Sequence, residues 1–193
     1  MFRRIICTGM LCLLTLCGCS AVSNPEDLAA SVREAYVNAS DIEIVTDIIS
    51  NLDEEAMTYQ IGYAYHNQDG NASAEMTLLA PESIAGIKAH ITGEDFIFSY
   101  EDTELETAMP DRKGLTPSDV TTYLLDTLMT GVPKQVWMEE DLLVLRYENE
   151  EETGTVVRDI QLQPDTYALT CAQIYSNGEQ IMVCNVVSCV LQP

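Results

Sequence analysis

Basic residues are scarce in this chain. Its 193 residues hold 9 Lys and Arg against 31 Asp and Glu, a formal net charge of −22. The basic residues form no cluster beyond Arg3-Arg4 and Arg112-Lys113. A nucleic-acid-binding face must displace counterions with clustered Lys and Arg, so this balance speaks against nucleic acid as a partner. Histidine is scarcer still, with only His66 and His90. Beyond the amino-terminal segment no His-x-x-x-His or Cys-x-x-Cys spacing occurs, so no metal site and no cofactor are expected. Gly-x-Ser-x-Gly and Gly-rich phosphate loops are missing too, which removes the commonest nucleophile and nucleotide signatures. Asp41 and Glu43 could serve acid–base chemistry. In so acidic a chain such pairs are common, and a carboxylate-dependent hydrolase stands as the alternative from another class to a non-enzymatic reading. No apolar run reaches the roughly 20 residues of a membrane-spanning helix.

What is present begins with a processing signal. Met1-Phe2-Arg3-Arg4 gives a positive start, and Ile5 to Leu16 is apolar except for Thr8, Gly9 and Thr15. The run closes on Leu16-Cys17-Gly18-Cys19. Charge, core length and small residues together read as a signal peptide. The closing residues resemble the bacterial lipobox: an aliphatic residue, two small residues, then cysteine. That resemblance implies a cut between Gly18 and Cys19 and a diacylglycerol, with palmitate-type chains, on the Cys19 thiol. Residues 1–18 would then be a lipoprotein signal peptide, 19–23 a lipidated tether and 24–193 the domain. Two or more acyl chains, at roughly 0.8 kcal/mol per buried methylene, hold a protein on a membrane stably. The expected place is the extracytoplasmic face of the cell membrane. An ordinary signal peptide with incidental cysteines is the plainer reading.

The remainder has enough apolar residues, 47% of the whole chain, for one domain with a real core. Asn24-Pro25-Glu26-Asp27 carries a cap, a first-turn proline and two acids, which predicts a helix from Pro25 to about Val37 with Leu28, Val32, Ala35 and Tyr36 on one face. The period then changes to two. Met57, Tyr59, Ile61, Tyr63 and Tyr65 share a face, as do Phe96, Phe98 and Tyr100. Strands are expected from Ala74 to Leu79, Ser83 to Ile91 and Asp95 to Tyr100. A helix capped at Thr116 follows, with a stripe of Val120, Tyr123, Leu124 and Leu128 and a stop at Gly131. The remaining strands are Gln135 to Met138, Leu142 to Glu148, Thr155 to Gln163, Tyr167 to Tyr175 and Gln180 to Leu191. Short turns between consecutive strands imply an α+β fold, a curved antiparallel sheet partly covered by two helices.

The closing stretch Leu162–Cys189, "LQPDTYALTCAQIYSNGEQIMVCNVVSC", and the central "GLTPSDVTTYLLDTL" resemble the LolA-like proteins, although Ala168-Leu169 stands where that family usually has proline. The resemblance implies a half-open antiparallel β-barrel with two covering helices and an apolar concave face. With the lipobox, the chain is similar to the clostridial germination lipoproteins related to GerS. This implies a non-catalytic binding module for an envelope protein such as a cell-wall enzyme. The other lineage of the same fold implies a carrier of acyl chains or lipoproteins. Tyr59, Ile61, Tyr63, Phe96, Phe98 and Trp137 would line the concave face, either as an open groove or as plain core.

Three cysteines lie in the domain. A two-residue turn at Asn177-Gly178 pairs Ser176 with Glu179. Counting outward then sets Cys171 opposite Cys184 at a non-hydrogen-bonded pair with Cα atoms about 4.5 Å apart, at the short end for a disulfide. The alternative is a pair of reduced thiols. Cys189, an odd number of residues from Cys184, is expected on the other face.

Overall fold

The computed structural model describes residues 24–52, 55–68, 70–93, 95–101, 103–108, 114–151 and 154–193. The signal peptide, Gly18 and Cys19, and the tether up to residue 23 lie outside the described residues. Helix α1 runs Pro25–Asn38. Its start follows the sequence signals: the Asn24 side chain accepts from the Glu26 amide at 3.4 Å, Pro25 opens the first turn, and Glu26 and Asp27 sit at the positive end of the helix. Val32 and Tyr36 are buried, and the Tyr36 hydroxyl donates to the Tyr167 carbonyl at 3.0 Å, which ties the helix to the far half of the sheet.

Eleven strands follow: β1 Asp41–Ser50, β2 Met57–Gln68, β3 Asn71–Ala80, β4 Lys88–Thr92, β5 Asp95–Tyr100, β6 Thr103–Ala108, β7 Gln135–Glu139, β8 Leu142–Glu151, β9 Gly154–Leu162, β10 Leu169–Ser176 and β11 Glu179–Gln192. They form one antiparallel sheet in the order β6-β5-β4-β3-β2-β1-β11-β10-β9-β8-β7. Two meanders are thus joined where the first strand pairs with the last. β6 and β7 are the two free edges, so the sheet does not close. Helix α2, Val120–Thr130, sits in the connection between those edges.

The expected α+β architecture, a half-open antiparallel sheet with two helices, is what the chain adopts. Alternation decides the faces. Ile42, Ile44 and Ile48 of β1, Ile61 and Tyr63 of β2, Phe96 of β5, Leu143 and Leu145 of β8, and Ile160 and Leu162 of β9 belong to one buried cluster. Val120, Leu124, Leu125 and Leu128 of α2 complete it. Each such side chain contributes about 1.5–3 kcal/mol on full burial.

Three local expectations are corrected. The strand expected from Ser83 begins only at Lys88; Glu82–Ile84 is a single 3₁₀ turn. Strand β6, "TELETA", was not expected, because one leucine among acids and threonines gives no apolar alternation. Helix α2 starts at Val120, and Thr116 is not its side-chain cap. The Thr116 carbonyl accepts from the Val120 amide at 3.0 Å, while its hydroxyl donates to Asp119 at 2.6 Å.

Asp119 holds this helix start together. The residue is 2% exposed, and its carboxylate also accepts from the Gly114 and Thr116 amides, each at 2.9 Å. Burial raises its pKa, and those hydrogen bonds pull the other way with less weight. A raised carboxyl pKa means the contribution is full below the unfolded-state value of about 3.9 and declines as pH rises through the folded value. Asp119→Ala takes the acceptor from two backbone amides, while the Thr116 hydroxyl keeps Ser118 at 2.9 Å, and is expected to cost about 2–3 kcal/mol in urea titrations. Asp119→Asn keeps the shape and one acceptor. It is expected to cost less and to flatten the pH dependence just above the ordinary carboxylate range.

Candidate functional site

The concave face is the first candidate. Tyr59, Ile61 and Tyr63 alternate along β2 and face Ile48, Thr46 and Ile44 of β1. Phe96 and Phe98 lie on β5 with ring centroids 4.7 Å apart, edge to face. The sheet therefore brings five of the six expected lining residues to one side. Ile61, Tyr63 and Phe96 are buried in the cluster completed by the α2 stripe, and Tyr59 and Phe98 pack against it. Burial pushes the Tyr63 phenol up to about 12, against a smaller downward pull from the Thr122 hydroxyl of α2.

Trp137 is a correction. It pairs with Val144, while its neighbours Val136 and Met138 pair with Leu145 and Leu143 of the buried cluster. Trp137 therefore points to the outer face. There Arg146 lies 5.4 Å from its ring centroid and grips Asp159 through two bonds of 2.6 Å. This Trp–Arg–Asp group escaped the sequence reading, because its members come from three strands.

The inner face also carries a buried cation that the sequence pattern did not lead us to expect. Arg158 is almost fully buried, with its guanidinium 4.3 Å from the Tyr123 ring centroid. Burial lowers its pKa, and the neighbouring Tyr123, Glu151 and Asp119 oppose that. Its signal in the sequence is an arginine at an inward position of a strand reading Val156, Arg158, Ile160, Leu162.

The expected cysteine register is corrected as well. Ser176 pairs with Glu179 and Tyr175 with Gln180, but Ile174 pairs with Met182. The extra residue, Ile181, shifts everything beyond it, so Cys171 faces Asn185 and Cys184 faces Ala172. The two thiols point to opposite sides of the sheet, and Cys171, Cys184 and Cys189 are all free. A second extra residue, Val187, returns Cys189 to the side of Cys184: they pair with Ile44 and Ile48 respectively. Burial pushes the Cys184 thiol up to about 12. Alkylation of the mature chain is therefore expected to label all three thiols after denaturation, with or without reductant. In the native state Cys171 should react first and Cys184 last. A gain of labelled thiols on reduction would show a disulfide and reject this register.

The groups raised as candidate acids and bases sit on β1, β2 and β4. Asp41 takes a 2.5 Å hydrogen bond from His66 Nδ1 and another from the Ser40 hydroxyl. These bonds, His66 first, hold its carboxyl below the usual range. Glu43 is exposed two residues further along β1. His90 is exposed, with Nε2 3.1 Å from the Thr92 hydroxyl. Among the described residues no group of three His, Cys, Asp or Glu could hold a metal ion.

A cleft of about 780 Å³ lies between α1 and the segment leading from α2 into β7. Ala29, Ala30, Val37, Val132 and Val136 supply apolar wall, and Arg33 and Lys134 are its cations. Both are engaged with the chain itself: Arg33 donates to the Met129 carbonyl at 3.2 Å and Lys134 bridges Glu148 at 2.6 Å.

No protein-family profile and no curated protein matches this sequence. Solved structures do. A DUF1329 family protein from Desulfovibrio piger superposes with a TM-score of 0.52 at 10% identity, covering 86% of this chain and 91% of that one. The two share a fold. A LolA superfamily protein from Nitrosomonas europaea gives 0.46 at 11% identity, over 86% of this chain and 94% of that one. The GerS lipoprotein of Clostridioides difficile, solved in complex with the CwlD amidase, gives 0.40 at 12% identity, over 88% and 93%. Fold likeness at these identities says nothing of activity. Among the described residues no helix is long and apolar enough to cross a membrane.

Proposed function

We propose that the chain is a lipoprotein, anchored through Cys19 to the outer face of the cell membrane, where it acts as a non-catalytic binding module for an envelope protein. The observation that carries the binding reading is the packing of the concave face. Tyr63, Phe96 and the α2 leucines belong to one buried cluster, which supports the uncovered outer face of the sheet as the surface to offer a partner. A cell-wall enzyme, with a role in spore germination, is the partner class that the lipobox and the LolA-like resemblance together imply. The second reading, acyl-chain binding, is favoured by the α1 cleft alone: its apolar wall and volume are of the kind that accepts a small ligand.

The anchor and the partner are tested separately. Cys19→Ser removes the acceptor thiol. The variant is expected to leave the membrane fraction and to lose the mass of the diacylglycerol. A membrane-bound Cys19→Ser chain would contradict the anchor. Failure of any purified cell-wall enzyme of the source organism to bind the wild-type chain would contradict that partner class.

A further inference from the structure

The helices pack on the inner side of the sheet, so the outer face of its centre, β11-β1-β2-β3, is bare among the described elements. Two interruptions of alternation meet there. Val45 pairs with Ser188 and Thr46 with Val186, which leaves Val187 as an extra residue, 61% exposed. Gln60 pairs with Ala80 and Ile61 with Leu78, which leaves Leu79 as an extra residue, 43% exposed. Bulges of this kind re-aim side chains, and both here turn an aliphatic residue out to water.

Between the two bulges β2 places its smallest residues outward. Gly62 and Ala64 floor a hollow of about 330 Å³, walled by Val45, Leu79 and Val190 and flanked by Glu43 and Glu75. Nothing in the backbone demands glycine at 62. Its φ is ordinary, and an added Cβ would meet Leu79 only at 3.5 Å, a normal contact. The small residues keep the hollow deep without serving the fold. Its lining holds two carboxylates and no Lys or Arg; Lys88 reaches Glu75 from the neighbouring strand at 3.2 Å.

We infer that this hollow receives an arginine or lysine side chain from a basic partner protein. The alkyl stem would lie on Gly62, Ala64, Val45 and Leu79, with the cationic head at Glu43 and Glu75. Long basic side chains have this divided chemistry. An apolar centre with a charged rim is the usual build of a protein interface. A chain of net charge −22 also steers a basic partner towards it. The inference rests on the reading of the chain as a protein-binding module, and it adds the surface and the partner's chemistry.

The test uses the mature lipidated chain in uncharged detergent. The probe is a short peptide alternating arginine with leucine, beside the same peptide with citrulline for arginine. Amide shifts are expected to centre on Gly62, Ala64 and Val190 and to saturate. Ala64→Leu, which fills the hollow, and Glu43→Lys should each weaken binding about tenfold, the equivalent of 1.4 kcal/mol. Glu139→Lys, at the end of β7, should change it little, and the citrulline peptide should bind weakly. Shifts scattered over the acidic surface, or an affinity that Ala64→Leu leaves unchanged, would overturn the inference. A purified envelope partner that binds the Ala64→Leu chain as tightly as the parent would overturn this surface and leave the binding-module reading standing.

Discussion

Phe96→Ala is expected to destabilise the domain by about 3–5 kcal/mol, the range for truncating a fully buried phenylalanine. Phe96 has no exposed surface and meets Phe98 edge to face at 4.7 Å. The side chain sits in the cluster that α2 completes, so its loss leaves a cavity that neighbours close only in part. The same substitution reports on the state of the concave face. A phenylalanine lining an open groove already faces a void, and its removal would cost about 1 kcal/mol or less, within the spread of lightly packed sites. Urea unfolding of the parent and of Phe96→Ala separates these outcomes. A midpoint that scarcely moves would mean an open groove.

Gly131→Ala is the second large effect, expected at about 1–3 kcal/mol or more from overpacking. Gly131 ends α2 with φ −71° and ψ 161°, angles that any residue adopts. The constraint is space. An added Cβ would stand 2.5 Å from the Thr127 carbonyl oxygen and 2.9 Å from the Tyr147 ring. The carbonyl is backbone of α2 and also accepts the Gly131 amide at 2.9 Å, so it cannot turn aside without loosening the last turn. Tyr147 is buried, and burial pushes its phenol up to about 12; a ring packed so closely does not swing out cheaply. Trimming it in a Gly131→Ala, Tyr147→Leu double variant should therefore restore only part of the loss. Gly178→Ala provides the contrast. Its φ is +83° with nothing within 4 Å, so its cost comes from left-handed backbone strain, about 1–2 kcal/mol. A Gly131→Ala chain as stable as the parent would show that the helix end relaxes freely.

The overall shape was legible because it follows from period. Alternation in β1, β2 and β5, the capped start of α1 and the short turns of the second half all reach the structure nearly as written. Parity was harder to read. In "QVWME" the residues Val136, Trp137 and Met138 are all apolar, so alternation alone does not say which faces inward. Pairing with β8 decides it, and Trp137 goes out. The cysteine register failed for a related reason. Ile181 and Val187 are single extra residues in β11, and nothing in "EQIMVCNVVSC" marks an aliphatic residue as a bulge. β6 was invisible because a strand at the edge of a sheet needs little apolar surface. The hollow at Gly62 and Ala64 is legible only once β1, β3 and β11 are laid beside β2.

The central claim is that the chain holds a partner from outside a packed sheet and carries no lipid within it. Native mass spectrometry of the mature chain, taken gently from membranes, tests this most directly. The expected spectrum is one species that begins at Cys19 and carries its covalent acylglycerol and nothing further bound. A stoichiometric, noncovalent lipid that remains after detergent is stripped would contradict the claim and make the chain a lipid carrier.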